Sequence, residues 1–510
     1  MSHPSPEPTK LVRIAALKTV SEFRDHARAL GIDLPCEDQI LTGSSSPLAQ
    51  PLPQIRINGK RVGNRFAVQP MEGWDATPTG RVTDDVRRRW QRFGESGAKL
   101  ICGGEAMAVR LDGRANPNQL VLSEAHLADF IELRELVENA HVARHGSADD
   151  LVIGFQLTHS GRFCKPSDSS RLEPRVAFRH PLLDQRFGVT SDSQVFTDAE
   201  VERLIQDYVR AARVAAEAGA DFIDIKHCHG YLLHEFLSAR QRPGPFGGSF
   251  ENRTRILREI VSAIRASGNT IDLGVRLSAF DFVPFIPDPA HSRPGKPGPG
   301  VPERFEQLLP YSFAFGADPQ NPVSYDLSEA FQFAALCLEL GVKILNITAG
   351  SPYYNPHIQR PAAYPPSDGY QPPEDPLVGV ARQIQATRQI REYVNSLTPD
   401  GQAPALLVVG SAYSYLQEFL PHVGQHVVRF KWADLIGIGR MILSYPTFLA
   451  DVIETGAFNP KHICRTFSDC TTAPRNGLIS GCYPLDPYYA GKPEAQTLKA
   501  IKRGAPKTSG

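Results

Sequence analysis

The most informative stretch of this sequence is Lys226-His227-Cys228-His229-Gly230-Tyr231-Leu232-Leu233. It places five polar, titratable or charged side chains within six residues, directly after the apolar run Phe222-Ile223-Asp224-Ile225. The segment before that run has the signals of a helix, because Thr197-Asp198-Ala199-Glu200 is a capping box and Gly219 closes the other end. Reactive side chains at the end of a strand that follows a helix are typical of an α/β barrel.

The same alternation of helix and strand continues along the chain. Eight apolar runs are predicted strands: 66–70, 99–102, 151–157, 221–226, 271–277, 343–348, 405–410 and 434–438. Eight alternating units of this kind predict an α/β fold of the (β/α)8 TIM-barrel type. The alternative is a doubly wound sheet that binds a dinucleotide. That fold would be expected to carry Gly-x-Gly-x-x-Gly after its first strand, and the sequence has no such motif.

The composition is that of a large globular protein without a strong overall charge. The 510 residues are 41% hydrophobic, and 55 basic side chains balance 55 acidic ones, so no global field favours nucleic acid or an anionic membrane. The first thirty residues contain charges throughout, so we expect neither a signal peptide nor a membrane span. The eight cysteines are irregularly spaced, which does not indicate a disulfide framework and favours a cytoplasmic location.

The pattern divides the chain into three predicted parts. An N-terminal extension covers residues 1–58, the barrel covers 59–458, and a C-terminal extension with Cys464, Cys470 and Cys482 covers 459–510. A Pro/Gly-rich insertion at 283–325 follows the fifth predicted strand. A loop of this length is usually functional or disordered, so the insertion is a candidate lid over the catalytic face, or a surface insertion without a role.

Four segments of the predicted barrel carry a resemblance to a known family. They are Asn64-Arg65-Phe66-Ala67-Val68-Gln69-Pro70-Met71, Gln156-Leu157-Thr158-His159-Ser160-Gly161-Arg162, His229-Gly230-Tyr231-Leu232-Leu233 with Phe236-Leu237 and Asn252-Arg253, and Gly437-Ile438-Gly439-Arg440. In this order and at these strand ends, the chain resembles the old yellow enzyme family of FMN-dependent NADH:flavin oxidoreductases. The resemblance extends from about Arg61 to about Phe448.

The resemblance implies that FMN lies across the C-terminal mouth of the barrel. Arg276 matches the arginine that stabilises negative charge on reduced flavin, and Gln156 matches the glutamine at the pyrimidine edge. Gly410, Gly439 and Arg440 fit the phosphate, which barrels commonly hold at the last two strand ends. The full set expected at the cofactor is Gln69, Pro70, Met71, Glu72, Ala106, Gln156, Arg276, Gly410, Gly439 and Arg440.

The resemblance also implies a reaction and its residues. NADH or NADPH delivers hydride to FMN, and the flavin passes it to an α,β-unsaturated carbonyl compound or a similar small electrophile. Lys226 and His229 take the positions of the two donors that hold the substrate oxygen, and Tyr231 takes the position of the proton donor. General acids of this kind contribute roughly 10²–10⁴-fold to the rate.

Two residues depart from the family pattern. Lys226 stands where histidine is usual; it would repel a protonated amine, and it could instead turn away to pair with Asp224 or another carboxylate. Glu72 stands where threonine or cysteine is common. An ionised carboxylate there would disfavour reduced flavin, whereas a protonated one could donate a hydrogen bond. These departures leave two other functions open: a flavin-dependent amine or alcohol dehydrogenase or demethylase, and a redox-inactive barrel that acts as a binding protein.

The C-terminal extension resembles a degenerate remnant of the iron–sulfur segment of 2,4-dienoyl-CoA reductase and trimethylamine dehydrogenase. Cys470 and Cys482 have eleven residues between them, and Phe467 stands where a further cysteine is expected. A cubane cluster normally needs four thiolates, so we expect a structural extension without a cluster. The close spacing of His227, Cys228 and His229 is also wrong for zinc. The expected partner is therefore a small-molecule substrate, and the sequence does not indicate the oligomeric state.

Overall fold

Eight parallel strands close into a barrel in a computed structural model that describes residues 11–366, 369–399 and 405–503. The strands are β1 Phe66–Val68, β2 Leu100–Ile101, β3 Val152–Thr158, β4 Phe222–His227, β5 Asp272–Ser278, β6 Ile344–Thr348, β7 Leu407–Gly410 and β8 Leu435–Ile438. The ring is complete because β8 pairs with β1, β1 with β2, and β2 with β3. The predicted (β/α)8 barrel is confirmed, and every observed strand overlaps its predicted range.

A helix follows each strand and packs around the barrel. These helices span Asp84–Glu95, Leu127–His145, Asp198–Glu217, Phe250–Ala266, Ser328–Glu339, Pro376–Ser396, Leu420–Arg429 and Phe448–Thr455. The predicted capping box is present, since the Thr197 backbone N–H donates to Glu200 Oε2 at 2.8 Å and Thr197 Oγ1 accepts from the Glu200 backbone N–H at 3.3 Å. The cap satisfies backbone donors at the helix start.

Shorter elements connect these units. Short helices lie at Leu183–Arg186, Leu232–Ser238, Pro356–Gln359 and Arg440–Ser444. Before β1 lie the helix Val20–Ala29 and an antiparallel hairpin, Leu52–Ile57 with Lys60–Val62. Apolar side chains of this hairpin pack against Leu100 of β2 and Val152 of β3, near the amino ends of the strands. The hairpin therefore covers that end of the barrel, and the carboxyl end is left for a site.

The second barrel strand is interrupted by two glycines. After β2, Gly103 and Gly104 adopt φ of 93° and 60°, and the segment Ala106–Ala108 then resumes parallel pairing with β3. A Cβ atom on Gly103 would lie 2.6 Å from the Cβ of Gln156, so only glycine permits this close approach. The interruption brings the backbone next to a predicted site residue.

The insertion and the C-terminal extension both contain regular secondary structure. The insertion forms an antiparallel pair, Phe285–Pro287 with Gly300–Pro302. The extension contains the helices Asp469–Arg475, Pro487–Ala490 and Glu494–Lys502. Asp486 joins it to the first barrel helix through ion pairs of 2.9 Å to Arg88 and 3.1 Å to Arg92. Across the described ranges, none of the helices has the length and apolar character needed to span a bilayer.

Candidate active site

One cavity at the carboxyl ends of the strands brings together nearly all of the predicted site residues. Those that line it are Gln69, Pro70, Met71, Glu72, Gln156, Lys226, His229, Tyr231, Arg276, Gly439 and Arg440. They come from five different strands, whose carboxyl ends the closed barrel brings to one point. Barrel enzymes build their active sites at this end.

Ala106 and Gly410 do not line the cavity. Ala106 is buried in the strand segment that resumes after the two glycines, opposite Gln156 of β3. Gly410 ends β7, and its carbonyl oxygen accepts a hydrogen bond of 3.3 Å from Gln69 Nε2. A Cβ atom on Gly410 would lie 2.6 Å from the hydroxyl oxygen of Tyr413. Both residues support the wall behind the cavity.

The two residues that depart from the family pattern form an ion pair with each other. Lys226 Nζ lies 2.5 Å from Glu72 Oε1, and their side chains are 3% and 15% exposed. The other carboxylate oxygen, Oε2, accepts hydrogen bonds of 2.8 Å from the Tyr231 hydroxyl and 2.9 Å from Trp74 Nε1. Lys226 therefore does not pair with Asp224. Glu72 is the acceptor at which three donors of the cavity converge.

Tyr231 has a second phenol beside it. Its hydroxyl lies 3.0 Å from the hydroxyl of Tyr353, and Lys226 Nζ lies 3.5 Å from the centroid of its ring. Burial, followed by the neighbouring Glu72 carboxylate, raises the pKa of Tyr231 well above its ordinary value. The phenol is therefore protonated at neutral pH and has a proton to give.

His229 is held in a strained conformation that fixes its ring at the cavity. Its φ of 66° lies in the left-handed region, which costs a non-glycine residue of order 1–3 kcal/mol. Its backbone N–H donates to Ser278 Oγ at 3.0 Å, and its carbonyl accepts from Ser351 Oγ at 2.8 Å. Burial, with Arg276 and Lys226 nearby, lowers the pKa of His229 well below its ordinary value, so the imidazole is neutral. It can act as an uncharged donor.

Two buried amides face the cavity from the barrel interior. Gln156 Nε2 donates to Asp224 Oδ2 at 2.6 Å, which directs its carbonyl oxygen away from that carboxylate. Burial raises the pKa of Asp224 to about 6, against the opposing effects of the Gln156 hydrogen bond, Arg276 and Lys226. Gln69 forms reciprocal hydrogen bonds of 2.9 and 2.6 Å with Asn346. Both amide groups are thus fixed in orientation before any ligand binds.

The buried donors of Arg276 and Arg440 indicate whether FMN fits this cavity. Arg276 Nε and Arg440 Nη1 are buried and have no hydrogen-bond partner among the described residues. An unpaired buried guanidinium donor is costly, so such atoms in a cavity wall indicate an anionic or polar ligand. One arginine is in β5 and the other follows β8, where the resemblance places the flavin pyrimidine and the phosphate. The donor set fits FMN.

The sequence did not indicate that the C-terminal extension reaches the cavity. Its residues Cys470, Thr471, Pro474, Arg475 and Ser480 line one side, and Tyr353, Gln359 and Arg360 from the segment after β6 line another. No residue of the insertion at 283–325, which the structure describes in full, is among the lining residues. The C-terminal extension, which the sequence predicts to be structural, therefore contributes to the site. The insertion at 283–325, which is a candidate lid, does not line the cavity.

The cysteines and histidines do not form a metal site in the part of the chain that the structure describes. It contains no group of three or more His, Cys, Asp or Glu side chains arranged to hold a metal ion. All eight cysteines are free thiols. The likeness of the extension to an iron–sulfur segment is not confirmed.

Comparison with known protein families and sequences agrees with this geometry. The sequence profile described as "NADH:flavin oxidoreductase / NADH oxidase family" matches residues 50–285. An NADPH dehydrogenase from Geobacillus sp. (strain WCH70) is 34% identical over 239 residues, which are 45% of this chain and 63% of that protein. An NADH:flavin oxidoreductase from Gibberella zeae is 34% identical over 262 residues, which are 49% of this chain and 61% of that protein. The chain thus spans less than two thirds of the length of these curated relatives.

Comparison with solved structures supports the fold. A complex of 2-naphthoyl-CoA reductase superposes with a TM-score of 0.60 at 17% sequence identity, covering 87% of this chain and 57% of that one. At this identity the likeness shows the barrel architecture and does not extend to the substrate.

Proposed function

We propose that the chain is a member of the NADH:flavin oxidoreductase / NADH oxidase family, whose sequence profile matches residues 50–285. On this proposal it binds FMN and uses NADH or NADPH to reduce an α,β-unsaturated carbonyl compound or a similar electrophile. The observation that carries the proposal is the convergence of Arg276, Gln156 and Arg440 on the cavity that Tyr231 also lines. The relatives match only over part of their length, so the activity rests on this site.

We assign the cofactor contacts by the chemistry of the side chains. Arg276 provides a guanidinium for the pyrimidine edge, and Gln156 provides an oriented amide beside it. Arg440 and the glycine before it provide a cation and backbone for the phosphate. When bound, FMN supplies the group that takes up hydride from the nicotinamide and returns it to the alkene.

The remaining side chains serve the substrate. Lys226 and neutral His229 are the donors assigned to the substrate oxygen, where negative charge develops as hydride arrives at the β-carbon. Tyr231 supplies the proton for the α-carbon. Glu72 holds both Lys226 and Tyr231 in place until substrate binds, since both donate to its carboxylate.

The test is the visible absorption spectrum of the purified protein, loaded with FMN if necessary. We expect a flavin spectrum that bleaches on anaerobic addition of NADPH or NADH and recovers on addition of 2-cyclohexenone. A colourless protein that rejects FMN would overturn the proposal and favour a barrel that acts only as a binding protein.

One observation favours a second candidate, the oxidation of an amine or alcohol. Lys226 would repel an ammonium substrate as a free cation, but the contact with Glu72 neutralises it. In addition, the Tyr231 hydroxyl points at a carboxylate, an arrangement that can also accept a proton from a substrate. Bleaching of bound FMN by an amine or an alcohol, without recovery by the enone, would select this function.

A further inference from the structure

In the cavity, two phenols and a carboxylate form a chain of hydrogen bonds in which each group donates to the next. The Tyr231 hydroxyl lies 2.8 Å from Glu72 Oε2 and 3.0 Å from the hydroxyl of Tyr353. A phenol has one proton to donate, and an ionised carboxylate only accepts. Since Tyr231 donates its proton to Glu72, the proton between the two phenols belongs to Tyr353. The donors are therefore ordered from Tyr353 through Tyr231 to Glu72.

Tyr353 is held in place from two sides. Its ring stacks on Phe163 with the centroids 3.8 Å apart and the planes 13° apart. The Arg475 guanidinium of the C-terminal extension lies 5.4 Å from the same ring, and Arg475 Nη2 donates to the Pro352 carbonyl oxygen at 2.8 Å. Together these contacts fix the hydroxyl against Tyr231. The extension thus reaches the proposed proton donor through one intervening side chain.

The two phenols differ in their access to solvent. Tyr231 is 3% exposed, whereas Tyr353 is only partly buried. A buried phenol that gives up its proton needs a route by which another proton returns. The ordered hydrogen bonds provide that route, because the donor next to Tyr231 is the phenol nearer to solvent.

We propose that Tyr353 is a positioning residue that returns a proton to Tyr231 when Tyr231 protonates the substrate, an inference that rests on the proposed function. The O–H bond of Tyr231 breaks as a C–H bond forms at the substrate α-carbon. The O–H bond of Tyr353 breaks as that of Tyr231 re-forms, and water then protonates Tyr353. One proton passes from solvent to carbon, and no electrons move through the phenols. Lys226, 3.5 Å from the Tyr231 ring centroid, offsets the transient negative charge.

The experiment compares three Tyr→Phe variants of the FMN-loaded enzyme. Tyr353→Phe keeps the ring that stacks on Phe163 and removes only the hydroxyl, and Tyr231→Phe removes the proposed acid. Tyr208→Phe is the matched control, because the Tyr208 hydroxyl is buried in the helix Asp198–Glu217 and has no hydrogen-bond partner among the described residues. For each variant, flavin reduction by NADPH and reoxidation by 2-cyclohexenone are followed separately, in mixtures of H2O and D2O.

We expect the reoxidation rate of the unmodified enzyme to depend non-linearly on the deuterium fraction, because two protons move in one step. Tyr353→Phe should slow reoxidation about tenfold, less than the ~10²–10⁴-fold loss for a direct general acid, and make the dependence linear. Reduction by NADPH, FMN content and the thermal unfolding midpoint should stay unchanged. Tyr208→Phe should reproduce the curve of the unmodified enzyme.

Two results would overturn the relay alone. One is a Tyr353→Phe enzyme with the rate and the curved deuterium dependence of the unmodified enzyme. The other is an equal slowing of both half-reactions, which would indicate a structural role. If the unmodified enzyme binds FMN but no enone reoxidises it, the proposed function fails and the relay fails with it.

Discussion

Replacing either member of the Lys226–Glu72 pair should lower the free energy of unfolding. The decrease should be larger for the Glu72 variant than for the Lys226 variant. At 2.5 Å and an effective dielectric constant of ~20, the Coulomb attraction is roughly 6–7 kcal/mol, most of which repays desolvation. Glu72→Met leaves an ammonium group with 3% exposure and no carboxylate beside it. Removing one partner of a buried pair costs about 3–5 kcal/mol, and we expect this variant to lie in that range.

Lys226→Met should cost less, about 1–3 kcal/mol, because the remaining carboxylate is better compensated. Glu72 keeps its hydrogen bonds from Tyr231 and Trp74, and its side chain is 15% exposed. The double variant removes both charges, so its loss should be no greater than that of Glu72→Met alone. The coupling energy of the cycle should then be at least the loss for Lys226→Met, ~1 kcal/mol or more.

The assay is urea unfolding of the flavin-free protein, followed by tryptophan fluorescence for all four members of the cycle. The matched control is the surface pair Asp25–Arg28, with a distance of 2.7 Å and side chains 62% and 76% exposed, which should couple by less than about 0.5 kcal/mol. If the losses in unfolding free energy for Glu72→Met and Lys226→Met add up to that of the double variant within ~0.5 kcal/mol, Lys226 and Glu72 do not act as a pair.

Three further predictions concern single residues. Arg276→Ala should lose FMN during gel filtration, measured as the ratio of visible to ultraviolet absorbance, and full retention would contradict its assignment. Tyr231→Phe should keep FMN reducible by NADPH while slowing reoxidation by 2-cyclohexenone roughly 10²–10⁴-fold, and an unchanged rate would exclude it as the acid. The raised pKa of Asp224, about 6, means that the folded protein keeps a proton that the unfolded chain releases near ~3.9. Its stability contribution should therefore be lost as pH rises through this window, by up to ~3 kcal/mol, and Asp224→Asn should remove that slope in urea unfolding at several pH values.

The barrel could be predicted from sequence because each strand is a local signal. Runs such as Phe222–His227 and Ile344–Thr348 are buried along their whole length, and capped amphipathic helices separate them. The residues at the strand ends could also be predicted to meet, since a closed parallel barrel brings all its carboxyl ends together. Local sequence patterns and the topology of a closed barrel therefore predict both the strands and the end of the barrel that holds the site.

The partners within the site could not be predicted in the same way. Glu72 and Lys226 are 154 positions apart, and either alone indicates only a departure from the family pattern. Tyr353 follows β6 and Arg475 lies in the C-terminal extension, so their positions depend on how two irregular segments pack over the mouth. Such packing is decided by contacts like Asp486 with Arg88, for which the sequence carries no periodic signal.

The pairing of the two unusual residues explains how the site can depart from the family pattern and still suit the proposed flavin chemistry. An ionised Glu72 alone, at the position that the resemblance places beside FMN, would oppose the negative charge of the reduced cofactor. Lys226 alone would place an uncompensated cation in a pocket with 3% exposure. The two opposite charges offset each other, so the pair adds no net charge at the position proposed for the flavin. Arg276 then remains the cation assigned to the flavin, and a change at either Lys226 or Glu72 requires a compensating change at the other.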